Sequence, residues 1–162
     1  MERYKAAVVG GLIAGVVTTV VMVAGRKTGI LGKTLDRDAV DWIDDLTDSR
    51  AVIGDTGTSV VEFANHLGAS AAFAAALPKL RELLPSLSPV ALGTLYGTAL
   101  YAVNIGCIAP VLGITEGEAN AGLRKATERW AVHVIQAVVS ALLAERLASA
   151  PDTDFDFDFG LN

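Results

Sequence analysis

Cysteine, aromatic rings and, over long stretches, charge are what this 162-residue sequence has least of. Cys107 is the single cysteine, so an intramolecular disulfide framework and a paired-cysteine zinc site are both excluded. It lies in an apolar run and reads as a small buried hydrophobe. Aromatic residues make up 6% of the chain although 52% is hydrophobic, so Ala, Val, Leu and Gly supply the apolar character. Small residues of this kind let helices approach closely where lipid surrounds them. No HExxH, phosphate-binding loop, GxGxxG or nucleophile elbow occurs, and Gly10-Gly11 sits inside an apolar span where no phosphate would reach it. No internal or inverted repeat is present, so the duplicated layout of many transporters is not supported.

Charge is missing from Ala6–Gly25 and from Pro85–Thr115. Each run reaches the ~20 apolar residues needed to cross hydrocarbon. Met1–Lys5 has the look of a charged signal-peptide start. The run behind it exceeds the usual ~7–15 residues, and no clear A-x-A site closes it, so a retained span is the better reading. The first helix is expected over about Lys5–Gly25, with Gly11 and Gly15 as a GxxxG packing face and Thr18 and Thr19 bonding back to the backbone. Arg26–Glu62 is a polar connection. Within it Asp38–Asp48 reads as a short interfacial helix, with Ala39, Trp42, Ile43 and Leu46 on one face, and Gly54–Gly57 reads as a turn.

A second span is expected from near Ser59, with uncharged residues Phe63–Pro78 and a small-residue stripe at Gly68, Ala72 and Ala76. Pro78 and Pro85 bound a short amphipathic link. Ser88 and Pro89 suit the N-cap and first position of a third helix, which carries a second GxxxG at Gly93 and Gly97 and a kink at Pro110, because proline cannot donate to the Gly106 carbonyl. Thr115-Glu-Gly-Glu118 matches a capping box. The fourth span runs from about Thr127 to Leu147, with Arg129 and Arg146 expected to snorkel from its ends. Residues 151–162 form an acidic Asp/Phe tail that reads as disordered.

Four spans place both termini on one side, side A, and the connections after the first and third spans on side B. More Lys and Arg lie on side B, which leans it toward the cytoplasm. Eleven Asp and seven Glu against 13 Lys and Arg leave a formal charge of −5, which argues against nucleic acid as a partner. On this layout Glu62, His66, Asn104, His133 and Gln136 all fall in the side-B half, with Thr18 and Thr19. Polar groups at membrane depth mark function or helix pairing. Three readings stand open for them: interhelical hydrogen bonding, worth ~0.6 kcal/mol a bond; passage of a proton or solute; and ligation of a metal or haem, with His66, His133 and Glu62 as candidates.

Four segments resemble the YagU-like family of small integral membrane proteins: GLIAGVVTTVVM (Gly11–Met22), NHLGASAAFAAAL (Asn65–Leu77), LYGTALYAVNIGCIAPVLGI (Leu95–Ile114) and WAVHVIQAVV (Trp130–Val139). The resemblance implies a polytopic helical protein in which His66 and His133 are the matching histidines, and it implies no activity. The acidic first connection and the Asp/Phe tail depart from the family pattern.

The sequence therefore predicts an all-α, polytopic bundle of four membrane-spanning helices with a short interfacial helix after the first. Residues 1–150 form the transmembrane domain and residues 151–162 the tail. The expected role is that of a non-enzymatic, multi-pass component of the cell membrane without a cofactor, in contact with the lipid bilayer and packing with itself or with a partner protein. The alternatives are a small permease or proton-coupled carrier and a metal- or haem-binding protein.

Overall fold

The computed structural model describes residues 1–150, except the side chain of Ala119, and all its regular structure is helical. The tail expectation for residues 151–162 lies outside the described residues. The elements are α1 (Arg3–Lys27), α2 (Leu35–Thr47), α3 (Ser49–Ala74), α4 (Leu77–Leu83), α5 (Pro89–Val103), a π-helical turn (Asn104–Ile108), α6 (Ala109–Val111), α7 (Glu118–Ala121) and α8 (Leu123–Ser149). Four stretches are long and apolar enough to cross a membrane: Arg3–Lys27, Ser49–Leu83, Pro89–Val111 and Leu123–Ser149.

The buried set is made mostly of small residues. On α1 it includes Ala6, Ala7, Gly10, Gly11, Ala14, Gly15 and Thr18; on α5 Gly93 and Gly97; on α8 Ala137, Ser140 and Ala141. Beside these, Met22, Val40, Leu77, Leu92 and Ile105 are buried, but many large apolar residues face outward, with Val20 63% and Val111 84% exposed. Water would penalise that surface by ~25 cal/mol per Å², whereas hydrocarbon does not. Glycine rows set the close approaches. A Cβ on Gly11 would stand 2.6 Å from the Ser70 carbonyl oxygen of α3, and one on Gly10 would stand 3.0 Å from the Ala144 nitrogen of α8. On α5, a Cβ on Gly93 would meet the Val138 Cα at 2.5 Å, and one on Gly97 the His133 carbonyl oxygen at 2.7 Å.

These seams order the long helices as α3, α1, α8, α5, with α1 and α8 in the middle. The two flanking helices are joined by the Tyr96 hydroxyl, which donates to the Phe73 carbonyl at 2.8 Å. At the side-A end, Arg81 of α4 pairs with Glu145 of α8 and donates to the Leu87 carbonyl.

Several local expectations are corrected. The break expected at Gly54–Gly57 is present at Gly54 alone, the residues after it being helical, so the second span begins earlier than Ser59. Helix α3 starts at Ser49 and runs through a kink at Gly54, whose φ of 68° and ψ of 177° suit glycine alone. The early start has a side-chain cause: Asp44 accepts from the Arg50 backbone N–H at 2.6 Å and from the Ser49 hydroxyl at 3.3 Å, serving the otherwise unpaired first turn. Ser88 does cap α5, accepting from the Ala91 N–H at 3.2 Å. At Pro110, where a kink was expected, the helix widens one turn earlier, and the Ala109 N–H reaches back to the Asn104 carbonyl. Thr115 is not the N-cap of a capping box: α7 starts after Gly117, at φ 85°, and Glu118 is drawn elsewhere. Cys107 is exposed on the π-helical turn rather than buried.

Gly93→Leu and Gly97→Leu are expected to lower the melting temperature in detergent sharply. Each must displace α8 backbone, which exceeds the ~1–3 kcal/mol of ordinary overpacking. Gly68→Leu is the matched control, because a Cβ at Gly68 meets nothing within 4 Å. Equal melting temperatures for all three variants would remove the α5–α8 seam as the close contact.

Candidate functional site

The polar groups of the side-B half form three connected parts. The outermost is a set of ion pairs that fastens α2 across the bundle. Lys33 reaches Asp38 at 3.0 Å and Asp41 at 2.8 Å, and Arg50 reaches Asp41 at 2.5 Å. The hydrogen bond from Lys33 holds the Asp41 carboxyl below its ordinary value of 3.8, with Arg50 adding to it, and the same carboxylate raises Lys33 above 10.5. Glu62, expected beside His66 as a metal ligand, is instead claimed by Arg26 at 3.4 Å and Arg37 at 3.5 Å.

The middle part is Arg129. It was expected to snorkel from the end of the last span, but its side chain is only 6% exposed. The reason is two carboxylates from different connections: Asp38 of α2 accepts from Nη2 at 2.9 Å and Glu118 of α7 accepts from Nη1 at 2.7 Å. Glu118 also accepts from the Tyr101 hydroxyl of α5 at 2.9 Å. One guanidinium thus ties together α2, α5, α7 and α8, with both carboxylates needed to make its burial tolerable. Among the described residues, its Nε–H has no hydrogen-bond acceptor.

The innermost part is a chain of side chains from four elements. Asp36 of α2 stands 3.0 Å from Nδ1 of His66 on α3. Nε2 of His66 stands 3.1 Å from the Thr18 hydroxyl of α1. That hydroxyl donates to Oε1 of Gln136 on α8 at 2.5 Å, and Nε2 of Gln136 donates to the Gly11 carbonyl at 3.4 Å. Of the sequence candidates, His66 and Gln136 therefore meet through Thr18. His133 lies farther along α8, donating from Nδ1 to the Arg129 carbonyl at 2.8 Å and meeting the Tyr101 ring edge-on at a centroid separation of 6.0 Å.

Between α3 and α5, over a floor of α1 and α8, lies a cavity of about 240 Å³. His66, Asn104, His133 and Gln136 all line it, with Arg129 at its charged end and Leu100, Phe73 and Val132 among its apolar walls. Asn104 follows α5 at the first position of the π-helical turn. Among the described residues, its amide makes no hydrogen bond to protein, and neither does Nε2 of His133. No group of three or more His, Cys, Asp or Glu side chains is placed to hold a metal among the described residues.

Asp36, Asp38, Glu118 and Arg129 were missed as site residues by sequence reasoning. The contacts that bring them into the site join Asp36 to His66 across 30 positions, Asp38 to Arg129 across 91 and Glu118 to Arg129 across 11, so no common spacing signal connects them. The Asp41 clasp has a definite pH sense. A depressed carboxyl contributes stability above 3.8 that is lost as pH falls through its lower folded value. The Asp41 carboxyl followed by 13C NMR is expected to titrate below 3.8, and Lys33→Ala is expected to move its midpoint back up; an unmoved midpoint would separate Lys33 from the clasp. Compared with family models, curated proteins and solved structures, the chain matches none.

Proposed function

We propose that this is a non-enzymatic, multi-pass protein of the cell membrane that holds a small uncharged molecule in the side-B cavity, as a small permease or carrier would. One observation carries the reading: a mostly apolar cavity of about 240 Å³ contains polar groups without protein partners. The Asn104 amide and Nε2 of His133 are half-buried and, among the described residues, free to bond a molecule held there. The His133 Nδ1–H is committed to a carbonyl, so neutral His133 offers Nε2 as an acceptor. Asn104 offers both a donor and an acceptor. The guanidinium charge is already balanced by Asp38 and Glu118, so the fitting ligand is neutral, with a hydroxyl or amide head that donates and accepts. The volume lies below the ~300–1,000 Å³ of drug-sized sites, in keeping with a small solute.

Thr18, His66 and Asp36 repeat the residue order of an acyl-transfer triad, which is the strongest argument for an enzyme. The surroundings speak against it. Thr18 is 1% exposed, lies inside the continuous α1 helix, and does not line the cavity. Its hydroxyl faces three other acceptors, Gln136 Oε1 and the Ala14 and Gly15 carbonyls, and the helix leaves no free backbone N–H beside it for an oxyanion.

A second reading, association with another copy or a membrane partner, draws on the face of α3 that carries Gly68 and Ala72, continued by Ala76 in the turn before α4, all exposed. It predicts that Gly68→Leu abolishes cross-linked dimers in lipid while leaving the monomer's melting temperature unchanged. Dimers that persist at the same level in the variant would remove that face.

The carrier reading is tested by native mass spectrometry of protein extracted in lipid discs. A small molecule is expected to co-purify, and Asn104→Leu is expected to reduce its occupancy about tenfold, the equivalent of one buried hydrogen bond of ~1.4 kcal/mol. An empty cavity in the unmodified protein, or equal occupancy in the variant, overturns it.

A further inference from the structure

The chain Asp36–His66–Thr18–Gln136 can be read atom by atom for its protons. A carboxylate only accepts, so the His66 Nδ1 facing Asp36 at 3.0 Å carries hydrogen. The 2.5 Å between Thr18 Oγ1 and the Gln136 side chain falls in the range of O–H···O bonds and below that of N–H···O bonds. The atom facing Thr18 is therefore the amide oxygen. The Gly11 carbonyl fixes the same orientation, because it needs a donor and Gln136 Nε2 faces it at 3.4 Å. A threonine hydroxyl has a single hydrogen, and three oxygens face it: Gln136 Oε1 at 2.5 Å, the Ala14 carbonyl at 2.9 Å and the Gly15 carbonyl at 3.1 Å. The Gln136 oxygen has the strongest claim, because two oxygens that close would repel without a hydrogen between them, and none of the three is a donor. The Thr18 oxygen can then only accept from His66 Nε2 at 3.1 Å, so Nε2 carries hydrogen as well.

We propose that His66 is the proton-binding site of this protein, a doubly protonated imidazolium whose proton is coupled through Gln136 to the contents of the cavity. The coupling rests on the carrier reading; the proton count does not. Loss of the Nε2 proton leaves a lone pair facing Thr18, and the hydroxyl hydrogen turns to it. Gln136 Oε1 then faces Thr18 lone pairs at a separation no acceptor pair sustains, and the amide swings away. Gln136 lines the cavity, so that swing changes the hydrogen-bonding groups offered there.

The charged and titratable surroundings fit a cation at His66. From α2 comes Asp36, its direct partner. On α3 itself Glu62 lies one turn earlier, shared with Arg26 of α1 and Arg37 of α2. From α8 come His133, Arg129 with its two carboxylates, and the cavity-lining pair Lys125 and Glu128. At the contact itself α1 supplies the Thr18 hydroxyl, which accepts from an imidazolium.

The test is side-chain NMR of 15N-labelled full-length protein in lipid discs at neutral pH, with His66→Gln used to assign the signals. Unmodified protein is expected to show both His66 ring nitrogens protonated. Asp36→Asn, which removes the counter-charge, is expected to show a single protonated nitrogen and a shifted Gln136 side-chain amide. A neutral His66 in the unmodified protein, an imidazolium retained in Asp36→Asn, or a Gln136 amide unmoved between the two overturns the proposal. None of these readouts needs a bound solute, so failure here is separate from failure of the carrier reading, which is decided by co-purified ligand.

Discussion

Backbone-to-backbone approach along glycine rows is the constraint from which the remaining architecture follows. Where α5 meets α8, the space a Cβ would need at Gly93 and Gly97 is already filled by the main chain of α8. Where α1 meets α3, the Ala74 Cβ and the Ser70 carbonyl fill that space at Gly11, and the side chains of Leu67 and Ser70 fill it at Gly15. In hydrocarbon the burial of apolar surface gives no net gain between helices, so dispersion contacts and short interhelical hydrogen bonds must hold them. Side chains as small as these allow many atoms to come within dispersion range. Many large residues are released to the outside, which is why Val16, Val17 and Val20 of α1 are exposed while Gly11, Ala14 and Gly15 of the same helix are buried.

The seams also explain why the protein is not a filled bundle. Helices α1 and α8 sit in the middle, and each flanking helix is drawn to one of them rather than to the other flank. Space is left between α3 and α5, and polar side chains that would be unwelcome in a dry core are gathered around it. The π-helical turn contributes to this. By stepping the hydrogen-bond ladder back five residues ahead of Pro110, it places Asn104 at the wall of the cavity.

Two kinds of polar contact serve different ends. The ion pairs of Lys33, Asp41, Arg50, Arg37 and Glu62 are partly exposed, and such pairs contribute little individually. Their effect is positional: they hold α2 so that Asp36 and Asp38 face inward. The inner contacts of Arg129 and His66 are sheltered, and each depends on a carboxylate delivered by α2. Removing Asp38 would leave the buried Arg129 guanidinium with Glu118 alone, a step toward the costly case of an uncompensated buried ion. The first polar connection, which has the composition of an ordinary solvated loop, therefore supplies the counter-charges of the site.

The sequence by itself determined the helical class, the four stretches able to cross a membrane, the capped start of α5 and the His66, Asn104, His133 and Gln136 set that lines the cavity. These follow from properties carried along the chain: uninterrupted apolar length, the Ser-Pro start, and helical rise that converts residue number into depth. Tertiary structure alone decided which groups meet. Glu62 and His66 share a helix face, yet Glu62 is taken by arginines of α1 and α2 while His66 turns to Asp36. Arg129 looked like a snorkelling end residue and is buried, because Asp38 and Glu118 arrive from separate connections. Depth is a one-dimensional property that the sequence encodes directly. Partnership depends on the rotation of each helix about its axis and on where a polar connection folds back, and both are fixed only when the glycine seams close.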